Sequence, residues 1–433
     1  MVDVKQAIPN NLIDQTFSAL RHTGSVLVDA RGDRQKPWRL IGLAAIGVGY
    51  LLLALIHWHV KPPHGGLHFV LLAEGWLQGH LYVAGSPGPY QDYTFYRGHW
   101  YVAFPPLPAV LLLPLVALFH EHHAPLYNYA FSIFLSLINI ILLFWVLKHF
   151  ARYRSQISRP ASLLLLLFFF ALGSEYLYVS LQGSVWFMAH VVATTFILLY
   201  VGECLGRRRA LLSGFWLGLA FLARATALLL CPLFLLLELL ERGRERPART
   251  LLARWLAFAL PPLLCVLGML IYNKLRFDSF LDFGYTNMSV NAALARDLHT
   301  YGQFSLHYLG RNLHYMLFEP FHLQLKFPFV TFNPKGTGIF FTMPFLLLSF
   351  CAFCERGNRP LALALLLPCL LTLVPLLLYF NTGWWQFGWR FCLDFLPCAL
   401  LLAALGLHRR TQPLAYTSVI ASAVLNVIGA FSL

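Results

Sequence analysis

Acid–base chemistry in this 433-residue chain is confined to few side chains, because it holds only 18 carboxylates. Half of these lie in the N-terminal tail or in and beside the short basic loops between apolar runs. Nine remain: Glu74, Asp92, Glu121, Glu175, Asp278, Asp282, Asp297, Glu319 and Asp394. Asp92 opens Asp92-Tyr93-Thr94-Phe95-Tyr96-Arg97-Gly98-His99-Trp100-Tyr101-Val102-Ala103-Phe104, which reads as an aromatic hairpin turning at Arg97-Gly98. Anchored in a membrane interface by Tyr96, Trp100 and Tyr101, such a hairpin holds Asp92 partly desolvated, where its carboxylate is a usable general base. The plainer alternative is that Asp92 orders the preceding Gly85–Pro89 loop. Glu74 is the second candidate base. It lies in a predicted amphipathic helix over Gly66–Gly79, on a stripe with Leu67, Leu71 and Gln78, and showing Glu74 to water is its plainer role.

Cations complete the set. Arg390 and Asp394 stand four apart in Gly383-Trp384-Trp385-Gln386-Phe387-Gly388-Trp389-Arg390-Phe391-Cys392-Leu393-Asp394, at the mouth of an apolar run. A helical ion pair explains them cheaply. The functional alternative puts Arg390 on a lipid phosphate, with Asp394 orienting the guanidinium from behind. Arg224 is alone in the bend Leu222-Ala223-Arg224-Ala225-Thr226, and an arginine there is retained where it meets water, backbone carbonyls or an anion. Asp278 and Asp282 are spaced for one helix face, with surface solvation the simpler account. Histidines crowd the region from His57 to His123, but no His-Glu-x-x-His pattern completes a zinc helix.

The elements that must position these groups follow from composition. With 58% hydrophobic and 12% charged residues, the chain cannot cover a soluble core, so it belongs in lipid. The formal charge of +14 does not indicate nucleic acid, because the basic residues sit in short runs between apolar spans. The eight cysteines lie in or beside apolar runs and read as buried small side chains. Residues 1–37 mix both charge signs and read as a cytoplasmic tail, with no cleavable signal peptide. Residues 38–433 form the membrane domain. Spans of about 20 residues are predicted over 38–60, 127–147, 161–179, 185–205, a helical hairpin over 210–240, then 251–272, 338–353, 361–380, 391–407 and 414–433. That makes eleven crossings in an all-α fold. The run Leu107–Phe119 is short and carries Pro108 and Pro114, so it reads as an interfacial helix. Basic loops set the N-terminus inside, which leaves 61–126 as a first outer, catalytic loop and 273–336 as a second outer segment, with amphipathic pieces such as Tyr308–Leu317.

The long first outer loop, its Phe104-Pro105-Pro106-Leu107 closure, the Leu-Ala-Arg-Ala bend and the late Gln386-Phe387-Gly388-x-Arg390-x-x-x-Asp394 together resemble the GT-C superfamily of multi-pass glycosyltransferases. The nearest likeness is to family 39-like proteins, akin to protein O-mannosyltransferases and the lipid A aminoarabinose transferase. The resemblance implies a GT-C helical bundle in the inner membrane, with its active site on the outer face. The implied reaction is inverting transfer of a hexosyl or pentosyl group from a polyprenyl-phosphate carrier to a lipid, glycan or protein acceptor. Relatives place an acidic pair after the first span where this chain has His64-Gly65, so the base falls to Asp92 or Glu74. The resemblance further implies that Arg390, then Arg224, then Lys274 and Arg276 hold the departing phosphate, with Gln386 in support. No paired carboxylates flank the site, so a divalent cation is an open point. A transporter or flippase of lipid-linked sugars and a non-catalytic GT-C-like protein are the alternatives.

Overall fold

The computed structural model describes residues 28–62, 65–83, 92–240, 247–326 and 329–432. Helix α1 covers Val28–Val60 and α2 His68–Leu77, followed by the strands β1 (Tyr93–Tyr96) and β2 (His99–Val102). Then come α3 (Leu107–Phe119), α4 (Ala124–Phe150), α5 (Pro160–Leu172), α6 (Tyr176–Ser180), α7 (Val185–Leu205) and α8 (Ala210–Ala223). A 3-10 turn over Ala225–Leu230 leads into α9 (Pro232–Leu240), and α10 is Ala248–Phe277. The remaining α-helices are α11 (Ala292–Tyr301), α12 (Leu309–Leu313), α13 (Ile339–Thr342), α14 (Arg359–Leu377), α15 (Leu396–Leu405) and α16 (Gln412–Ser432). The fold is an all-α multi-pass membrane bundle.

Among the described residues, six helices are long and apolar enough to cross a membrane. Helix α7 is the axis: its most apolar window is 83% buried, against 17% for α10, whose leucines face outward where lipid would lie. A helix apolar all round belongs in the middle of a bundle, and α7 packs against α4, α8, α9 and α15. The pairing of α8 with α10 is close because Gly214 and Gly218 stand one turn apart on α8. A Cβ on Gly214 would come within 2.0 Å of the Phe258 carbonyl oxygen, and one on Gly218 within 2.8 Å of Cys265 Sγ. Small residues at this spacing let two helix backbones meet inside a membrane.

The eleven crossings are not matched by eleven full-length helices. The predicted hairpin over 210–240 is built of short pieces: α8 has 14 residues, about 21 Å of rise, less than the ~30 Å hydrocarbon layer. Its turn, Arg224 to Thr226, lines the cavity described below. The predicted span 161–179 is also broken, with α5 ending at Leu172 and α6 restarting at Tyr176. Irregular backbone at that depth is tolerated where protein surrounds it.

Other local expectations match the structure. The hairpin pairs Tyr93 with Val102 and Tyr96 with His99, and turns at Arg97 (φ 46°) and Gly98 (φ 83°), two left-handed residues as a tight primed turn needs. Leu107–Phe119 is one short helix. Asp278 and Asp282 share no helix face, because α10 ends at Phe277 and Asp278 is left-handed. The basic loops gather at one end of the bundle: Arg39 donates to Ser158 O (2.5 Å), Arg154 pairs with Glu355 and donates to Leu407 O (2.7 Å), and Arg254 donates to Arg208 O (2.6 Å).

Gly214→Ala is expected to destabilise the protein by about 1–3 kcal/mol through overpacking against rigid backbone, while Gly268→Ala, whose Cβ would meet open space, is expected to be silent. Thermal unfolding in detergent compares the two.

Candidate active site

A cavity of about 250 Å³ lies at the end of the bundle opposite the basic loops. Three groups of side chains face it, each delivered by a different part of the chain.

Asp92 comes from the hairpin. Its backbone N–H donates to Ser289 O (2.9 Å), and Ser289 N–H donates to Tyr93 O (2.8 Å), so the 285–290 segment extends the hairpin by one more strand-like pairing. Asp92 is left-handed (φ 57°), a conformation that aspartate tolerates better than most residues. Its Oδ2 accepts a 2.6 Å hydrogen bond from Trp186 Nε1–H, in the first turn of α7. The ring of His68 stacks on Tyr93 at 4.0 Å and meets Trp186 edge-on at 5.5 Å, fixing the platform behind the carboxylate. Burial pushes the Asp92 carboxyl up to about 6, against the opposing effects of the Trp186 hydrogen bond and the Arg390 charge.

Arg224 and Thr226 form the floor, with Asp394 buried behind them. Arg224 Nε and Nη2 donate to the two oxygens of Asp394 at 2.9 and 2.7 Å. Thr226 Oγ1 donates to Oδ2 at 2.5 Å, and His190 Nδ1 lies 3.1 Å from Oδ1. This corrects the expected pairing of Asp394 with Arg390. Residues 390–394 form a 3-10 segment, with three residues per turn, so positions four apart do not face each other.

Arg390 is thereby left free. Its guanidinium donates no hydrogen bond among the described residues, and it lies over the Phe187 and Phe391 rings at 4.8 and 5.6 Å. Its backbone N–H donates to Gln386 Oε1 (3.1 Å), and Gln386 Nε2 donates to Thr382 O (2.9 Å) and Lys335 O (3.0 Å). Gln386 thus knits the loop that presents Arg390.

Other expected residues lie elsewhere. Glu74 pairs with His120 (3.2 Å) away from the cavity. Arg276 is buried on Val102 O (2.6 Å) and Asn273 Oδ1 (2.9 Å), stacked on Tyr272 at 3.9 Å, so it pins the hairpin to α10 rather than facing a ligand. Lys274 donates to Asp278 O (2.7 Å) at the surface. Tyr96 reaches Asp278 Oδ2 (3.3 Å), and Tyr101 meets Phe277 edge-on at 5.3 Å. His64 lies outside the described residues. Sequence reasoning missed Trp186, His190 and Thr226, whose only local signal is a polar atom in an apolar run. Among the described residues no three His, Cys, Asp or Glu side chains group as a metal site.

The fold of this helical bundle is also found in solved oligosaccharyltransferase structures. Two solved structures share it at 13% sequence identity, over 92% of this chain and 56% of theirs. They are the Archaeoglobus fulgidus oligosaccharyltransferase in the apo form (TM-score 0.53) and that organism's oligosaccharyltransferase AglB in complex with an inhibitory peptide and a dolichol-phosphate (TM-score 0.50). The chain spans little more than half the length of those proteins. No family model and no curated protein matches its sequence.

Removing one partner of a buried ion pair strands the other. Asp394→Ala is expected to cost about 3–5 kcal/mol and Thr226→Val about 1 kcal/mol, read as loss of folded protein on denaturant titration in micelles.

Proposed function

We propose that the chain is an inverting glycosyltransferase that moves a sugar from a polyprenyl-phosphate carrier to an acceptor on the outer face of the membrane, with Asp92 as base and Arg390 on the carrier phosphate. The observation that supports it is that a partly desolvated carboxylate and an unengaged guanidinium line one cavity, at the end of the bundle away from the basic loops. By the positive-inside rule that end is the outer one. The AglB complex holds a lipid phosphate and a peptide, which are the donor and acceptor chemistries the reading needs. A cavity of about 250 Å³ is smaller than pockets for drug-sized ligands and suits one hexosyl or pentosyl ring with its phosphate.

In the proposed step, an acceptor hydroxyl oxygen attacks the anomeric carbon and gives its proton to Asp92. The anomeric C–O bond to the phosphate breaks, and its electron pair leaves on the carrier. The phosphate gains negative charge as it departs, and Arg390 stabilises it in a water-poor site. No acid is needed to protonate so good a leaving group. Trp186 fixes Asp92 Oδ2 and leaves Oδ1 for the proton. Arg224 contributes less, because Asp394 already takes its charge.

The test is transfer from polyprenyl-phosphate sugars by protein reconstituted in liposomes. Asp92→Asn is expected to lose about 10²–10⁴-fold in rate while staying folded, with Glu74→Gln close to wild type. The raised Asp92 carboxyl sets the pH dependence. The base form exists above about 6, so kcat/KM is expected to fall as pH drops through that value and to level off above it. Loss in Glu74→Gln with Asp92→Asn intact would move the base to α2, and no loss in either would remove the catalytic reading.

A further inference from the structure

A fourth group of side chains lines the same cavity, and it carries no charge. Gln303 and Tyr285 come from the second outer segment, Tyr379 and Asn381 from the chain beyond α14. Their wall is held firmly. Past Leu377, where α14 ends, the last carbonyls lack helical partners, and buried Asn312 takes two of them: its Nδ2 donates to Leu377 O (2.9 Å) and Tyr379 O (2.7 Å). Arg311 Nη2 donates to Phe380 O (2.5 Å), while its Nη1 pairs with Asp297 (2.6 Å). Residues 303–305 then lie antiparallel to 378–380, with Phe380 N–H on Gln303 O (3.0 Å) and Ser305 N–H on Leu378 O (2.9 Å). Fully buried Tyr308 donates to Gly302 O (2.8 Å) and fixes the approach to Gln303.

Two carboxamides are thereby brought to one edge of the cavity with bonding capacity to spare. The Gln303 side chain makes no hydrogen bond among the described residues. Asn381 Oδ1 accepts from Gly383 N–H (2.9 Å), which leaves its amide N–H groups. A carboxamide both donates and accepts, as a sugar hydroxyl does. Phe304 and Phe380 line the cavity beside them, and a few neutral polar groups in an apolar setting suit an uncharged polar ligand. The charged groups have other roles. Arg224 is taken by Asp394, and on the reading above Asp92 meets the acceptor and Arg390 the phosphate. A ring bearing an ammonium or a carboxylate would find no counter-charge on this wall and would be desolvated without compensation.

We propose that Gln303 and Asn381 are specificity-determining residues for the transferred group: their carboxamides bind its ring hydroxyls, and the group is a neutral hexose or pentose rather than an amino sugar or a uronic acid. The inference rests on the reading that this cavity receives a polyprenyl-phosphate sugar, and narrows it.

Calorimetry on the full chain in detergent measures binding of farnesyl phosphodiesters that differ only in the second ester: methyl, mannose, glucose, arabinose, glucosamine or glucuronic acid. Wild type is expected to bind at least one neutral sugar diester about tenfold more tightly than the methyl diester, and the amino and uronic diesters no more tightly than the methyl. Gln303→Met, close in shape and without the amide, and Asn381→Ala are each expected to remove about three- to tenfold of that sugar gain while binding the methyl diester as wild type does. Arg390→Gln is expected to weaken all the diesters alike. Variants that weaken the methyl diester as much as the sugar diesters would show that the amides only shape the wall, which overturns the inference. A sugar gain retained in both variants overturns it by placing the amides with the acceptor. It is also overturned by the absence of any sugar gain in wild type, or by an amino or uronic diester that binds tightest. In each of these cases the phosphate reading of the cavity stands. No binding of any diester by wild type overturns the inference and that reading together.

Discussion

The ion pair between Arg224 and Asp394 is the constraint around which the outer half of the bundle is arranged. It joins the bend after α8 to the segment before α15, two points 170 residues apart, with Thr226 and His190 closing the remaining approaches to the carboxylate. Such a pair is worth little against a well-packed apolar substitute, but much against the loss of one partner. It fixes where the hairpin over 210–240 turns, because Arg224 in the bend reaches Asp394. The pair also brings α7 into register, since His190 stands one turn from Trp186 on the same helix.

From this follows an asymmetry between two arginines that look alike in sequence. Arg224 is spent on Asp394, while Arg390 faces the cavity with the Phe187 and Phe391 rings against its guanidinium. An aromatic surface offers a cation weak, non-directional attraction, and leaves its donors unused. Gln386 holds the backbone at Arg390 so that the side chain is positioned without being consumed. On the proposed reading, this lets one site have a rigid charged floor and a free charged wall. The floor sets geometry; the wall meets the phosphate.

The features legible in the sequence are those set by local chemistry. Arg97-Gly98 between alternating aromatics forces a tight hairpin, and the prolines around Leu107–Phe119 confine a helix too short to span. Arg224 was visible as an arginine in a bend, because nothing else in an apolar run explains it. The partner of Asp394 was not visible. The four-residue spacing to Arg390 suggested an α-helical pair, and only the 3-10 geometry of 390–394 turns the two apart. Trp186 and Asp92 are 94 positions apart, and no periodicity reports a hydrogen bond at that separation. The break between α5 and α6 was not visible for the same kind of reason. Hydropathy measures apolar length, whereas a crossing also depends on whether neighbouring helices can shelter a broken backbone.

Where the resemblance places an acidic pair this chain has His64-Gly65, and Asp92 shares a support with the chain that follows. The chain just after that position runs against the start of α7. Gly65 and Gly66 are both left-handed (φ 74° and 67°), and Gly66 O accepts from Val185 N–H at 2.8 Å. A Cβ on Gly66 would come within 2.5 Å of the Ser184 side chain and 3.1 Å of the Trp186 ring. Trp186 is the residue that holds Asp92. The segment that would have presented an acid and the hairpin that presents Asp92 therefore converge on one indole, from opposite sides of it. Trp186 thus ties the Gly65-Gly66 turn and the Asp92 hairpin to the start of α7, while Arg224 and Arg390 reach the cavity from other parts of the chain.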